Sequence, residues 1–307
     1  MLQKYRIQIL CGVIVGVGAC SGGGSGGDAD PAMGAITLAV TDTPVEEAAE
    51  VVIQFSAVEI KSAEDTPPEM FLFTTPRQID LLAQAGGASE VLLLEEAVPA
   101  GIYEWVRFYV DASPDASDSY IRLLDGSVHP FFIPSNDQTG VKLEADFVIG
   151  AGGTSSFTID FDLRQSVLRP PGLAPHFLFK PRLRLVNNLE VGSIEGEVAA
   201  AIAAENCSAV VYVYEGAGVI PDDLGSPTAP LTSAPVEMDI ETGAFLYRAA
   251  FLPVGDYTAA LTCEANLDEA ESDEDIVFLE PQDATVTAGA ATTVNFTTGE
   301  PAPPPGT

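Results

Sequence analysis

The chain has 307 residues, 47% of them hydrophobic, and sets 13 basic side chains against 45 acidic ones, a formal charge of −32. That apolar fraction excludes wholesale disorder. The negative field excludes nucleic acid as a partner, because its phosphates would be repelled.

Lys4 and Arg6 open the chain, and an apolar stretch from Ile7 to Gly18 follows, ending in Val17-Gly18-Ala19-Cys20. The stretch is about half the ~20 residues a membrane-spanning helix needs, and small residues at its end suit cleavage. Basic start, short apolar core, small residues and cysteine together resemble a bacterial lipoprotein signal peptide over residues 1–19. The resemblance implies a thioether-linked diacylglycerol and an N-acyl chain on Cys20. It also implies an envelope location, and Ser21 in place of Asp favours the outer membrane of a Gram-negative bacterium. Without the signal peptide the formal charge becomes 11 − 45 = −34. Residues 20–33 form a Gly/Ser tether with a reach of roughly 20 Å. Gly23-Gly24-Ser25-Gly26-Gly27 spells the nucleophile motif G-x-S-x-G, but lacks the strand before and helix after that the motif requires.

Strand signals dominate from residue 34 onward. Ile36, Leu38 and Val40 share a face of the first predicted strand, which Asp42-Thr43-Pro44 interrupts. Further strands are predicted over 51–60, 71–74 and 78–82, then a short helix over 88–97 around Leu92-Leu93-Leu94. In the strand predicted over 102–110, Ile102, Val106, Phe108 and Val110 form the inner face; Tyr103 and Trp105 lie opposite, beside Arg107 and Tyr109. Strands over 120–124, 126–133, 141–148, 155–163 and 177–186 complete a first unit. Such short runs between Gly/Pro/Asp turns predict an all-β fold of antiparallel sandwiches.

A second unit begins near Val191, with strands predicted over 191–198, 209–214, 244–251, 257–263, 276–279 and 292–296. Residues 191–307 hold 20 acids and a single basic residue, Arg248. Both units contain a Pro-x-Gly-x-Tyr sequence before an apolar strand: Pro99 to Tyr103 and Pro253 to Tyr257. The expected organisation is two tandem sandwich domains, 34–188 and 189–298, with a Pro-rich tail over 299–307.

The first unit resembles a prokaryotic secreted-domain family, domain of unknown function 4382. The resemblance rests on Leu38 to Pro44 (LAVTDTP), Ile79-Asp80-Leu81-Leu82, Pro99-Ala100-Gly101 with Tyr103, Trp105 and Arg107, Asp160 to Arg164 (DFDLR) and Lys180 to Arg184 (KPRLR). It implies a secreted or lipid-anchored β domain and supplies no activity or catalytic residue. Residues 191–298 resemble carboxypeptidase-regulatory or transthyretin-like, Ig-like sandwich domains.

Several side-chain groups invite a chemical reading. Lipid on Cys20 would leave Cys207 and Cys263 as a pair, and closing that loop as a disulfide is worth roughly 4 kcal/mol on the chain-entropy model. Asp160 and Asp162 alternate with Ile159, Phe161 and Leu163, so both carboxylates face one side of a strand. Lys180, Arg182 and Arg184 alternate with Pro181, Leu183 and Leu185 in the same way. If the two strands are neighbours, the charges pair across the sheet; the sharper alternative is a pocket for an anion or sugar acid. Asp268 to Asp275 packs six acids into eight residues, and Asp268, Asp273 and Asp275 are candidate Ca²⁺ ligands. The EF-hand spacing is absent, and a solvated acidic loop is the commoner reading. Tyr103 and Trp105 could offer an aromatic row to sugar rings. His129 and His176 stand beside Pro130 and Pro175 without ligand spacing, and neither has a Ser, Cys or metal context that would suggest nucleophilic catalysis. The expectation is therefore a non-catalytic binding or structural component, without cofactor. Its expected partners are the membrane, through Cys20, and a glycan or envelope protein; an adhesin is the alternative and a hydrolase the least favoured.

Overall fold

A computed structural model of the chain describes residues 31–43, 48–133, 140–169, 172, 176–203 and 207–301. The predicted signal peptide, Cys20, most of the tether and residues 302–307 lie outside the described residues. The fold is all-β. In the first part of the chain the strands are β1 (Met33–Thr43), β2 (Ala48–Ser62), β3 (Glu69–Asp80), β4 (Glu90–Pro99), β5 (Gly101–Asp111) and β6 (Tyr120–Leu123). They continue as β7 (Val128–Phe132), β8 (Val141–Ile149), β9 (Thr154–Asp162), β10 (Val167–Leu168), β11 (Phe177–Phe179) and β12 (Leu183–Asn187). One sheet runs β12-β9-β1-β4. The other runs β10-β11-β7-β6-β2-β5-β8, with β3 also paired to β2. Pairing is mostly antiparallel, but β1 lies parallel to β9, and β7 to β11.

The inner faces of both sheets feed one core. Phe161 on β9 sits with its ring centroid 6.1 Å from Phe55 on β2, 6.0 Å from Phe108 on β5 and 6.5 Å from Phe179 on β11. Ile36, Leu38 and Val40 are fully buried in the same cluster, as their alternation foretells.

Two local expectations are corrected. Residues 90–99 form a strand, not a helix, because β4 pairs antiparallel with β1 from Met33↔Pro99 to Val40↔Glu90. A register shift around Leu38 puts Leu92 and Leu93 in the core and leaves Leu94 69% exposed. Tertiary pairing overrides the helical propensity of a leucine run here. In β5 the pairing with β8 shifts between Tyr103 and Trp105, and such a bulge reverses the facing of every residue before it. Tyr103 is therefore buried with Val106 and Phe108 and stacks on Phe147 at 5.2 Å, while Ile102 is exposed. The aromatic row does not form. Trp105 lies half-buried under Arg107 and Lys142, each 4.6 Å from its ring.

In the second part of the chain lie β13 (Val191–Val198), β14 (Val210–Glu215), β15 (Thr232–Pro235), β16 (Glu237–Met238), β17 (Phe245–Pro253), β18 (Gly255–Thr262), β19 (Phe278–Val286) and β20 (Ala291–Thr293). They form two sheets, β16-β17-β13-β20 and β15-β14-β18-β19, and among the described residues no sheet spans both parts of the chain. β14 is buried on both faces. Val211 and Val213 enter the core between the sheets, whereas Val210, Tyr212 and Tyr214 pack on the other side with Leu224, Ala265 and Phe278. This explains an uninterrupted apolar run where a half-exposed strand would alternate. Cys207, just before β14, forms a disulfide with Cys263, just after β18.

The two Pro-x-Gly-x-Tyr sequences do the same work. Pro99 ends β4 in one sheet and Gly101 begins β5 in the other, so the chain turns from layer to layer. The Tyr103 hydroxyl donates to the Pro99 carbonyl at 2.8 Å. At the second corner the chain passes from β17 to β18, and Tyr257 donates to the Pro253 carbonyl at 2.7 Å. All of this belongs to one compact body, Ala32–Thr307. Among the described residues no helix is long and apolar enough to cross a membrane.

Candidate functional site

A cleft of about 510 Å³ opens where the two parts of the chain meet. Asp160, Asp162, Arg182 and Arg184 line one wall; Tyr214, Glu215 and residues 228–231 line the other. The first wall follows from strand register. β12 pairs antiparallel with β9 so that Arg184 stands directly opposite Asp160, and Arg184 Nη2 donates to Asp160 Oδ2 at 2.5 Å. The Asp160 side chain is 8% exposed and that of Arg184 19%. Arg184 Nη1, also buried, has no hydrogen-bond partner in the protein.

Among the described residues Asp162 forms no ion pair. It caps a single helical turn, α1 (Leu163–Ser166), accepting from the Gln165 N–H at 3.1 Å and from Gln165 Nε2 at 2.6 Å. Burial, then the neighbouring Asp160 charge, push its pKa up to about 6. Lys180 and Arg182 are exposed. Of the five charges grouped by alternation, the structure thus brings four to one cleft, joins two as an ion pair, and leaves Lys180 outside the lining.

The turn capped by Asp162 aims Arg164 across to the second part of the chain. Arg164 Nη2 donates to the Ala265 carbonyl at 2.8 Å, and its guanidinium lies 5.0 Å from the Tyr212 ring. The Tyr212 hydroxyl in turn donates to Asp268 at 2.5 Å, and the Leu224 N–H donates to the same carboxylate. Asp268 is therefore committed to the fold and is not held out toward solvent, contrary to its reading as a calcium ligand with Asp273 and Asp275. Asp275 is exposed. Asp273 instead meets Asp222 and Asp223, the three offering carboxylate oxygens within 4.8 Å of one another. Asp222 and Asp223 escaped the sequence reading because their partner is 50 residues away; the only local signal is a pair of acids after Pro221.

His129 stands beside a serine in the fold. Its Nε2 lies 3.0 Å from Ser127 Oγ. That hydroxyl donates to Asp125 Oδ1 at 2.6 Å within a tight turn, so its proton points away from the imidazole. Among the described residues no carboxylate orients the other ring nitrogen. The serine lacks the base-and-orienter order that nucleophilic catalysis needs.

The class defined so far is an all-β protein of paired sheets with a polar cleft. Residues 33–181 match the family described as Domain of unknown function (DUF4382). No curated protein matches the sequence. Among solved structures, a leucine-rich repeat protein of Bacteroides thetaiotaomicron is 13% identical with a TM-score of 0.22, covering 87% of this chain but only 26% of its own length. The minor pilin of Streptococcus agalactiae is 9% identical (TM-score 0.20, 88% of this chain, 98% of that one). The fimbrial anchor protein of Porphyromonas gingivalis is 11% identical (TM-score 0.20, 82% and 83%). Overlaps of this quality assign no function.

Proposed function

We propose that the chain is a lipid-anchored, non-catalytic envelope protein whose two sheet pairs act as two domains and bind a hydroxyl-rich ligand, a glycan, in the cleft between them. The observation that carries this reading is the cleft lining: the Arg184–Asp160 pair stands in one wall with Asp162 and Arg182, opposite Tyr214 and Glu215, so hydrogen-bond donors and acceptors converge on one space. The surrounding groups favour hydroxyls over anions. Asp160, Asp162 and Glu215 supply acceptors, and they outnumber the guanidiniums of Arg182 and Arg184, within a strongly acidic protein. The lipid anchor is supported by Lys4, Arg6, the apolar stretch and Cys20.

A glycan array probed with the full chain tests the reading. Defined hits are expected, and they should be lost in the Asp160→Asn/Arg184→Gln double variant, which removes both charges at nearly constant volume. An array without hits would favour a purely structural envelope role. Radiolabelled palmitate should enter the wild-type chain in a bacterial host and not the Cys20→Ala variant.

A further inference from the structure

We propose that Asp222, Asp223 and Asp273 form a Ca²⁺ site that pins the acidic loop over the outer face of β14. Asp222 and Asp223 follow the crossing after β14, and Asp273 lies in the acidic run between β18 and β19. Their carboxylate oxygens lie within 4.8 Å of one another. Oxygens bound to one Ca²⁺ at about 2.4 Å are at most ~4.8 Å apart, so the spacing of the three meets the pairwise limit for a common ion.

Proximity of acids alone would not carry this. Asp223 is 0% exposed. Its Oδ2 accepts from the Glu274 N–H at 2.5 Å, and the Ser226 N–H approaches the same carboxylate, but the buried Oδ1 makes no hydrogen bond of ordinary geometry. A buried carboxylate with an unmet oxygen, in contact with two further carboxylates, calls for positive charge. The protein supplies little there: Arg248 is the single basic residue after position 190 and lines a different cavity, with Glu195 and Glu237. Arg164, which reaches this region from the first part of the chain, donates to the Ala265 carbonyl.

The two segments are also held together with little room to part. A Cβ on Gly225 would stand 1.6 Å from the Ser272 carbonyl oxygen. The Tyr214 hydroxyl donates to the Asp222 carbonyl at 2.5 Å, and Asp268 receives the Leu224 N–H at 3.1 Å. These contacts fix both backbones before any ion arrives. Hard oxygen ligands of this kind select Ca²⁺ over softer metals, with water completing the shell.

The test is a Ca²⁺ titration of the chelator-treated full chain, read by melting temperature and by Tb³⁺ luminescence sensitised through tyrosine, since Tyr214 adjoins the site. Ca²⁺ is expected to raise the melting temperature where NaCl of equal ionic strength does not. Asp223→Asn and the exposed Asp273→Asn should each weaken the half-response by about tenfold or more, while Asp275→Asn, in the same acidic run, should leave it unchanged. A wild-type chain that does not respond to Ca²⁺ would overturn the proposal. So would an Asp275→Asn loss equal to that of Asp273→Asn, which would mean diffuse screening of the acidic loop.

Discussion

The same tyrosine corner is built twice in this protein, around two differently made cores. Before residue 188 two sheets enclose a single cluster rich in phenylalanine, with Phe55, Phe108 and Phe161 in mutual contact and Phe179 stacked on Phe161. After residue 190 narrower sheets enclose valine, alanine and tyrosine, and the buried side chains divide into two clusters on either side of β14. The second part adds a disulfide and an acidic loop as cover. The first core is closed between its two sheets, whereas among the described residues the outer face of β14, with Tyr212, Tyr214 and Phe278, packs against loop residues such as Leu224 and Ala265 and not against a second sheet. The comparison also explains the charge distribution, since the acids of the loop sit where the second core lacks a sheet of its own.

The largest expected effect breaks the first core. Phe161→Ala removes a ring touching three others and should cost about 3–5 kcal/mol, read by denaturant unfolding. Hydrogen exchange should place the loss in β1, β2, β5 and β9. Replacing both Cys207 and Cys263 by Ser should cost roughly 2–4 kcal/mol and spare those strands; an unchanged melting temperature under non-reducing conditions would sever stability from the cross-link. Tyr103→Phe and Tyr257→Phe each delete one corner hydrogen bond and strand a proline carbonyl, for about 1 kcal/mol. The account requires similar losses at the two corners, so a several-fold difference would count against their equivalence.

A further effect concerns pH. Burial and the charge of Asp160 raise the folded pKa of Asp162 to about 6, above its ordinary value of 3.8. Between these values the folded state binds more protons than the unfolded one, so the contribution of this group to stability falls as pH rises from about 4 to 6. Asp162→Asn keeps an acceptor for the Gln165 N–H and should flatten that window. A difference between variant and wild type that does not change across it would remove the assignment.

Much of the fold was legible because alternation survives wherever a strand has one inner face. Ile36, Leu38 and Val40 point inward as read, and the spacing of Asp160 against Arg184 revealed a true cross-strand pair. What failed were features fixed by a partner strand. The shift between Tyr103 and Trp105 depends on β8, and the strand over 90–99 depends on β1. Asp268, read as a surface ligand, is claimed by Tyr212 from a distant strand. Local sequence does not encode which acid of a cluster a remote hydroxyl will take.

The central claim is that ligand binds in the cleft between the two parts of the chain. Hydrogen–deuterium exchange with a glycan from the array tests its location directly. The account expects new protection at residues 158–162, 183–187 and 228–231, lost in the Asp160→Asn/Arg184→Gln variant. Protection confined to β5 and β8 around Trp105, with the cleft unchanged, would contradict it.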